Sequence, residues 1–241
     1  MKVVDCTWEL DNLGKRTVEV SVEANELIEE NELEAIEQTY QYVVLKIAPG
    51  NMDMNILMSK RQYVFTESQF SIYKKLDSSL SLNENQQRIY KDFEMREVSS
   101  VSDVISQLSL SMFRTDRIWI DPDFGPEYSL RRYSNWIKTD VQKMLSKLYS
   151  LIYQGKEVGF CMLQHEDKRM KVVLDGLYKQ YQGQGLGCLL PFCGYYYKEN
   201  FVDIEDYVTT ISSNNLGVLH TYNKCDFNMV GANYVFIKHI N

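Results

Sequence analysis

Gln182-Gly183-Gln184-Gly185-Leu186-Gly187 is the stretch on which the interpretation of this chain turns. It follows an apolar run, Lys171 to Tyr178, and opens a segment, Cys188 to Asn200, that can be helical. Three alternating glycines clear Cβ atoms from one side of a tight turn, so backbone N–H groups at a helix start point outward unobstructed. The partial positive charge of a helix start suits a phosphate or pyrophosphate. Three glycine loops compete. A P-loop needs Lys-Ser/Thr after its last glycine, and Cys188-Leu189 stand there instead. The dinucleotide fingerprint G-x-G-x-x-G opens an early βαβ unit; here the third glycine comes one residue too soon, late in the chain. The remaining pattern is Gln-x-x-Gly-x-Gly, carried by Gln182, Gly185 and Gly187. A plain strand-to-helix turn without a ligand is the alternative.

A second segment lies downstream. Ile211-Ser212-Ser213-Asn214-Asn215 is followed by Leu216 to Lys224 and then Cys225-Asp226-Phe227. An Asn after a strand, then a helix ending in a Tyr-x-Lys turn before Phe, is met by Asn215, Tyr222, Lys224 and Phe227. With the glycine loop upstream, this order of motifs resembles the GCN5-related N-acetyltransferases (GNAT). There are departures. Asp226 stands where the family has Gly, and Asp tolerates a left-handed backbone better than most residues. Lys179 stands where Pro is common. Gly217 inside the helix costs roughly 1 kcal/mol against Ala.

The resemblance implies acetyl-CoA as cosubstrate, a small primary amine as acceptor, and no metal. The implied CoA-binding residues are Gln182, Gly183, Gln184, Gly185, Leu186 and Gly187 around the pyrophosphate, with Asn215 on the pantetheine arm; Asn215 serves equally well as an N-cap. A strand bulge that frees the Leu177 amide to polarise the thioester carbonyl is expected at Gly176, since Gly in a strand often marks a bulge. Tyr222 is the implied catalytic acid: a neutral phenol holds a proton at pH 7 and can give it to a departing thiolate. The competing role for Tyr222 is an aromatic packed at a helix end. Asp175, His165 and Glu166 are candidate bases, beside a solvent chain with no base. Arg131, Arg132 and Trp136, among the aromatics Trp119, Phe124, Tyr128 and Tyr133, are candidate acceptor-binding residues, and the Arg pair suggests a nucleotide-linked aminodeoxy sugar. The alternative there is an amphipathic helix with core aromatics. A peptide amine, or a CoA-binding module without catalysis, are the rival functions.

Composition narrows the partners. The 241 residues carry a formal charge of -7, which disfavours nucleic acid or an anionic membrane as the main partner. Five cysteines without C-x-x-C spacing disfavour disulfides and zinc and suit a reducing cytoplasm. The start lacks a signal-peptide core, and no uncharged stretch approaches a membrane span.

The expected fold class is α+β. Residues 86–241 read as the acetyltransferase domain, with a mixed, mostly antiparallel sheet and flanking helices; residues 1–85 read as a smaller α/β unit, a partial copy of the same pattern. In that unit, strands are expected over 16–22, 42–48, 61–66 and 69–75, the last two as a hairpin. Helices are expected over 23–37 and 52–60, and a linker over 77–85. The 23–37 segment holds seven Glu and no Lys or Arg, a solvated face. Trp8, the Lys60-Arg61-Gln62-Tyr63-Val64-Phe65 stretch and the 121–136 segment resemble TDP-fucosamine acetyltransferase-like enzymes. The second unit should order as strand (93–98), helices (to about 112 and 126–146), three strands (148–153, 157–165, 170–178), glycine loop and helix, strand (207–212), helix (215–224) and strand (228–239). The N-terminal unit is a candidate wall of the acceptor site, a homodimer surface, or both.

Overall fold

Runs rich in Val, Ile, Tyr and Phe become strands, and ten of them join one sheet in the computed structural model, which describes residues 1–76 and 82–240. The N-terminal part contains β1 (Lys2–Asp5), α1 (Glu9–Leu13), β2 (Thr17–Val22), α2 (Glu30–Thr39), β3 (Tyr42–Ile47), α3 (Met52–Lys60) and β4 (Val64–Lys75). Then come α4 (Glu84–Lys91), β5 (Phe93–Glu97), α5 (Val101–Gln107), α6 (Arg117–Ile120) and α7 (Pro126–Gln142). The remainder is β6 (Lys147–Tyr153), β7 (Lys156–Glu166), β8 (Arg169–Leu177), α8 (Leu189–Asn200), β9 (Asp206–Ser212), α9 (Leu216–Lys224) and β10 (Asn228–His239).

The sheet order is β1-β2-β3-β10-β4-β9-β8-β7-β6-β5. Two neighbouring pairs are parallel, β2 with β3 and β8 with β9; the rest are antiparallel. The mixed, mostly antiparallel sheet is thus as expected, but its middle is interleaved. The C-terminal strand β10 pairs with β3 on one side and β4 on the other, and β4 pairs with β9. Strands from before and after residue 85 alternate there, so the two parts share one sheet.

Apolar residues on both faces of β3 show why helices cover the sheet twice. Val43, Leu45 and Ile47 pack with Leu33 of α2 and Met54 and Met58 of α3. Tyr42 and Val44 pack the other way, with Ile118 of α6. In the second half, Cys161 and Leu163 of β7 pack with Leu189, Phe192 and Cys193 of α8, while Phe160 and Met162 face Ile137 of α7. Helices on both faces of a sheet bury its two apolar surfaces.

Several local expectations change. The strands expected over 61–66 and 69–75 are one strand, β4 from Val64 to Lys75, and not a hairpin, because its backbone pairs with β10 and β9 across two register shifts instead of turning. The helix expected from residue 23 starts at Glu30, where Glu29 and Glu32 form a capping box. The helix after Ser100 stops at Gln107, and the one from Pro126 stops at Gln142. The expected linker lies partly outside the described residues, and its end already belongs to α4, capped by Asn83 and Gln86. β1, α1, α4 and α6 carried too little periodicity over four to eight residues to be foreseen.

Candidate active site

The site begins where two parallel strands part. β8 and β9 pair only at Arg169↔Asp206, Met170↔Tyr207 and Lys171↔Val208. Beyond Val208, β9 continues along β4 to Ser212, while β8 continues along β7 to Leu177. A wedge opens between them. The bulge that starts it sits at Val173, since Met162 faces Leu174 but Leu163 faces Val172. A bulge sharpens the local twist, which swings β8 away from β9.

This corrects the expectation at Gly176, which pairs in register with Phe160. Glycine there serves close packing: a Cβ would lie 3.2 Å from Met112 Cε, and one on Gly159 would lie 2.3 Å from the Gly176 carbonyl oxygen. The Leu177 amide nevertheless faces the wedge. Tyr178 N–H donates to Val158 O at 2.9 Å, toward β7. Neighbouring residues in a strand point their N–H groups to opposite edges, so Leu177 points its own toward β9. No β9 residue pairs with it there.

The glycine loop closes the end of β8. Gly183 (φ 75°) and Gly185 (φ 79°) are left-handed, a conformation that L side chains rarely adopt. Gln182 to Gly185 are exposed, and a Cβ at Gly183 or Gly185 would meet nothing within 4 Å. One 3-10 turn, Leu186–Cys188, then leads into α8. The loop thus presents bare backbone at the start of a helix, with Leu186 buried beneath as its anchor. Gly187 allows α9 to approach, with Thr221 Oγ1 3.3 Å from where its Cβ would be. The Gln side chains are engaged locally: Gln182 Nε2 donates to Leu177 O at 3.0 Å and Gln184 Nε2 to Gln180 O at 2.6 Å. Gln182 therefore braces the loop against β8. These features fit a diphosphate held by main-chain donors. Lys15 Nζ, 3.0 Å from His239 Nδ1, sits within a separate group of Asp121, Asp123 and His239, the last paired with Tyr42 of β3.

Asn215 caps α9: its Oδ1 accepts from Val218 N at 3.3 Å. Asp226 takes φ 57°, the left-handed conformation its place required. Tyr222 is only 2% exposed. Its hydroxyl donates to Asp175 Oδ2 at 3.2 Å and lies 2.9 Å from the Tyr207 hydroxyl, which donates to Leu190 O at 3.2 Å. The phenol thus abuts the β8 wall of the wedge, within a buried polar chain. Burial, then the Asp175 charge, raise its pKa well above the ordinary value, so it stays protonated. Burial pushes the Asp175 carboxyl up to about 6, against the lowering effect of the Tyr222 hydrogen bond. Of the three candidate bases, the structure brings only Asp175 to Tyr222. His165 and Glu166 are exposed at the opposite end, across from Met170 and Arg169. Tyr207, one of 17 tyrosines and part of no motif, carries no signal in the sequence.

The expected acceptor residues all have partners within the chain. Arg131 donates through Nε (2.8 Å) and a terminal nitrogen to Asn12 O at the end of α1. Arg132 Nε donates to Glu9 Oε1 at 2.6 Å, and Glu9 is 3% exposed. Trp136 Nε1 donates to Asp140 Oδ2 at 3.0 Å and its ring packs in the core under α7. The arginine pair fastens α7 to α1. Both guanidinium groups therefore have intramolecular partners.

No family profile matches the chain, and no curated protein matches its sequence. Solved structures do. A GCN5-related N-acetyltransferase from Sphaerobacter thermophilus aligns with a TM-score of 0.57 at 14% identity, over 83% of this chain and 60% of that one. The fold is that of the GCN5-related N-acetyltransferases. A second such protein, from Kribbella flavida, aligns with a TM-score of 0.57 at 11% identity over 92% and 80% of the two chains. A tandem GNAT protein of the clavulanic acid pathway gives 0.54 at 8% identity over 87% and 67%. The chain spans about 60% of the length of the Sphaerobacter protein. At these identities the acetyltransferase fold is shared while the side chains differ widely. Among the described residues, no helix is long and apolar enough to cross a membrane.

Proposed function

We propose that the chain is an acyl-CoA-dependent N-acyltransferase that moves an acetyl group directly to a primary amine. The supporting observation is the wedge between β8 and β9, with the Leu177 N–H facing no β9 partner and an exposed left-handed glycine loop at its mouth. In this reading the loop amides from Gln184 to Gly187 hold the CoA diphosphate, with Gly183 and Gly185 keeping the approach clear. Bound there, acetyl-CoA supplies an activated acyl group. The Leu177 N–H polarises the thioester carbonyl, and a fixed donor aimed at developing negative charge is worth about 3–4 kcal/mol. Tyr222 gives the proton to the departing sulfur. The acceptor is assigned as a small amine only.

One observation favours the rival, a CoA-binding module without turnover: Tyr222 is nearly fully buried and its hydroxyl already has partners. Free-thiol release with acetyl-CoA and a panel of amino sugars, polyamines and basic peptides, alongside calorimetric titration with CoA, separates the two. Turnover with any amine supports the enzyme. CoA binding without turnover supports the module, and no binding of CoA rejects both.

A further inference from the structure

The buried chain at Tyr222 holds more contacts than its phenols have protons. It has three links: Asp175 Oδ2 to Tyr222 (3.2 Å), Tyr222 to Tyr207 (2.9 Å) and Tyr207 to Leu190 O (3.2 Å). Two hydroxyls supply two protons, and the Leu190 carbonyl supplies none. With Asp175 ionised, Tyr222 points its hydrogen at the carboxylate and one other link has no hydrogen. With Asp175 protonated all three are filled, running in one direction from Asp175 through Tyr222 and Tyr207 to Leu190 O. The protonation state of one carboxyl therefore sets which way the Tyr222 hydroxyl points. Access to the chain is one-sided as well. Tyr207 and Tyr222 are 0% and 2% exposed, whereas Asp175 is only partly buried and lies on the wedge wall.

We propose that Asp175 is a proton-relay residue that takes up the proton released by the acceptor amine and passes it through Tyr222 to the departing thiolate. The inference rests on the acetyl-transfer function proposed above. The balance closes without another reagent. Nitrogen attack forms the C–N bond and breaks the C–S bond. The amine proton goes to the Asp175 carboxylate, directly or through water. Tyr222 gives its proton to sulfur and takes the one on Asp175, so both side chains return to their starting state. Tyr207, held by Leu190 O, keeps the phenol in place and is a positioning residue. The elevated carboxyl pKa agrees with a group that accepts a proton near neutrality, and burial is its cause.

The test has two arms. In ligand-free protein carrying 13C-labelled aspartate, NMR titration should show one carboxyl titrating near pH 6, absent in Asp175→Asn and shifted in Tyr222→Phe. If every carboxyl titrates in the ordinary range, the relay is overturned. In the second arm, kcat is followed against pH with an amine that turns over. The wild type should lose about tenfold per pH unit below the pKa of that carboxyl. Asp175→Asn should be slower and lose that limb, while CoA affinity and thermal midpoint at pH 7 are not reduced. Tyr207→Phe should keep the limb at a lower rate. An unchanged pH profile in Asp175→Asn refutes the relay and leaves acetyl transfer standing. No turnover with any amine, even with Asp175 titrating as expected, removes the acetyl-transfer function and the relay with it.

Discussion

Replacing Gly194 by Ala should destabilise the protein although Ala is the better helix former. Gly194 lies in α8 directly over Tyr207, and an added Cβ would stand 2.2 Å from Tyr207 Cδ1 and 2.9 Å from Cε1. The ring has nowhere to retreat. It is 0% exposed, meets Phe227 edge-on with centroids 4.9 Å apart, and is tethered through its hydroxyl to Leu190 O and Tyr222. Helix preference favours Ala over Gly by about 1 kcal/mol. Overpacking a core costs about 1–3 kcal/mol, and a clash with a fixed ring belongs at the upper end. The expected net loss is roughly 2 kcal/mol. Gly217 in α9 is the control: it is exposed, and a Cβ there meets nothing within 4 Å. Gly217→Ala should therefore stabilise by roughly 0.5–1 kcal/mol. Equilibrium urea unfolding, followed by intrinsic fluorescence and compared at equal m-values, reads both. One substitution type should give opposite signs in two helices. A raised midpoint for Gly194→Ala would show that Tyr207 is not fixed beneath α8, and the buried polar chain would lose its anchor.

Other outcomes follow from the same geometry. Tyr222→Phe should lower kcat by roughly 10- to 1000-fold with CoA affinity retained; an unaltered rate removes Tyr222 from the chemistry. Gly185→Val should abolish calorimetrically detected CoA binding, because a branched side chain at φ 79° strains the turn and covers its amides; wild-type affinity would refute the loop assignment. Asp175 has its folded pKa raised from 3.8 to about 6, so the native state binds its proton more tightly than the unfolded chain. Its stabilising contribution is then full below about pH 4 and lost as pH rises through about 6, on the order of 2–3 kcal/mol. The stability of wild type relative to Asp175→Asn should fall by that amount between those limits, and a pH-independent difference would contradict the burial argument. Glu9→Ala should cost roughly 3–5 kcal/mol by leaving Arg132 charged and unpaired, read as a shift in the unfolding midpoint; a change below 1 kcal/mol would show that the α1–α7 link is incidental.

Much of the fold was readable because its signals are local. α3 and β10 fall on their expected bounds, Met52–Lys60 and Asn228–His239. Periodicity, flanking turns and caps such as Asn51 and Asn215 lie within a few residues of what they specify. The glycine loop was equally local, since positive φ at Gly183 and Gly185 is a property of the turn itself. The bulge was misplaced by three residues. Glycine content marked Gly176, whereas the bulge at Val173 is defined by register against β7, and two residues of β8 facing one across a ladder cannot be seen along a single strand.

The amino-acid sequence by itself determined the order of most strands and helices, the bare turn before α8, and the Asn215–Tyr222–Phe227 frame of α9. Each depends on backbone preferences acting over a turn or two. Tertiary structure alone decided that β10 inserts between β3 and β4, that Arg131 and Arg132 clasp α1, and that Tyr222 meets Asp175 and Tyr207. The side-chain partners among these lie 15 to 123 residues apart along the chain. Side-chain charge and size state what a residue can bind, but only the packed sheet and its helices bring one particular partner within hydrogen-bond distance.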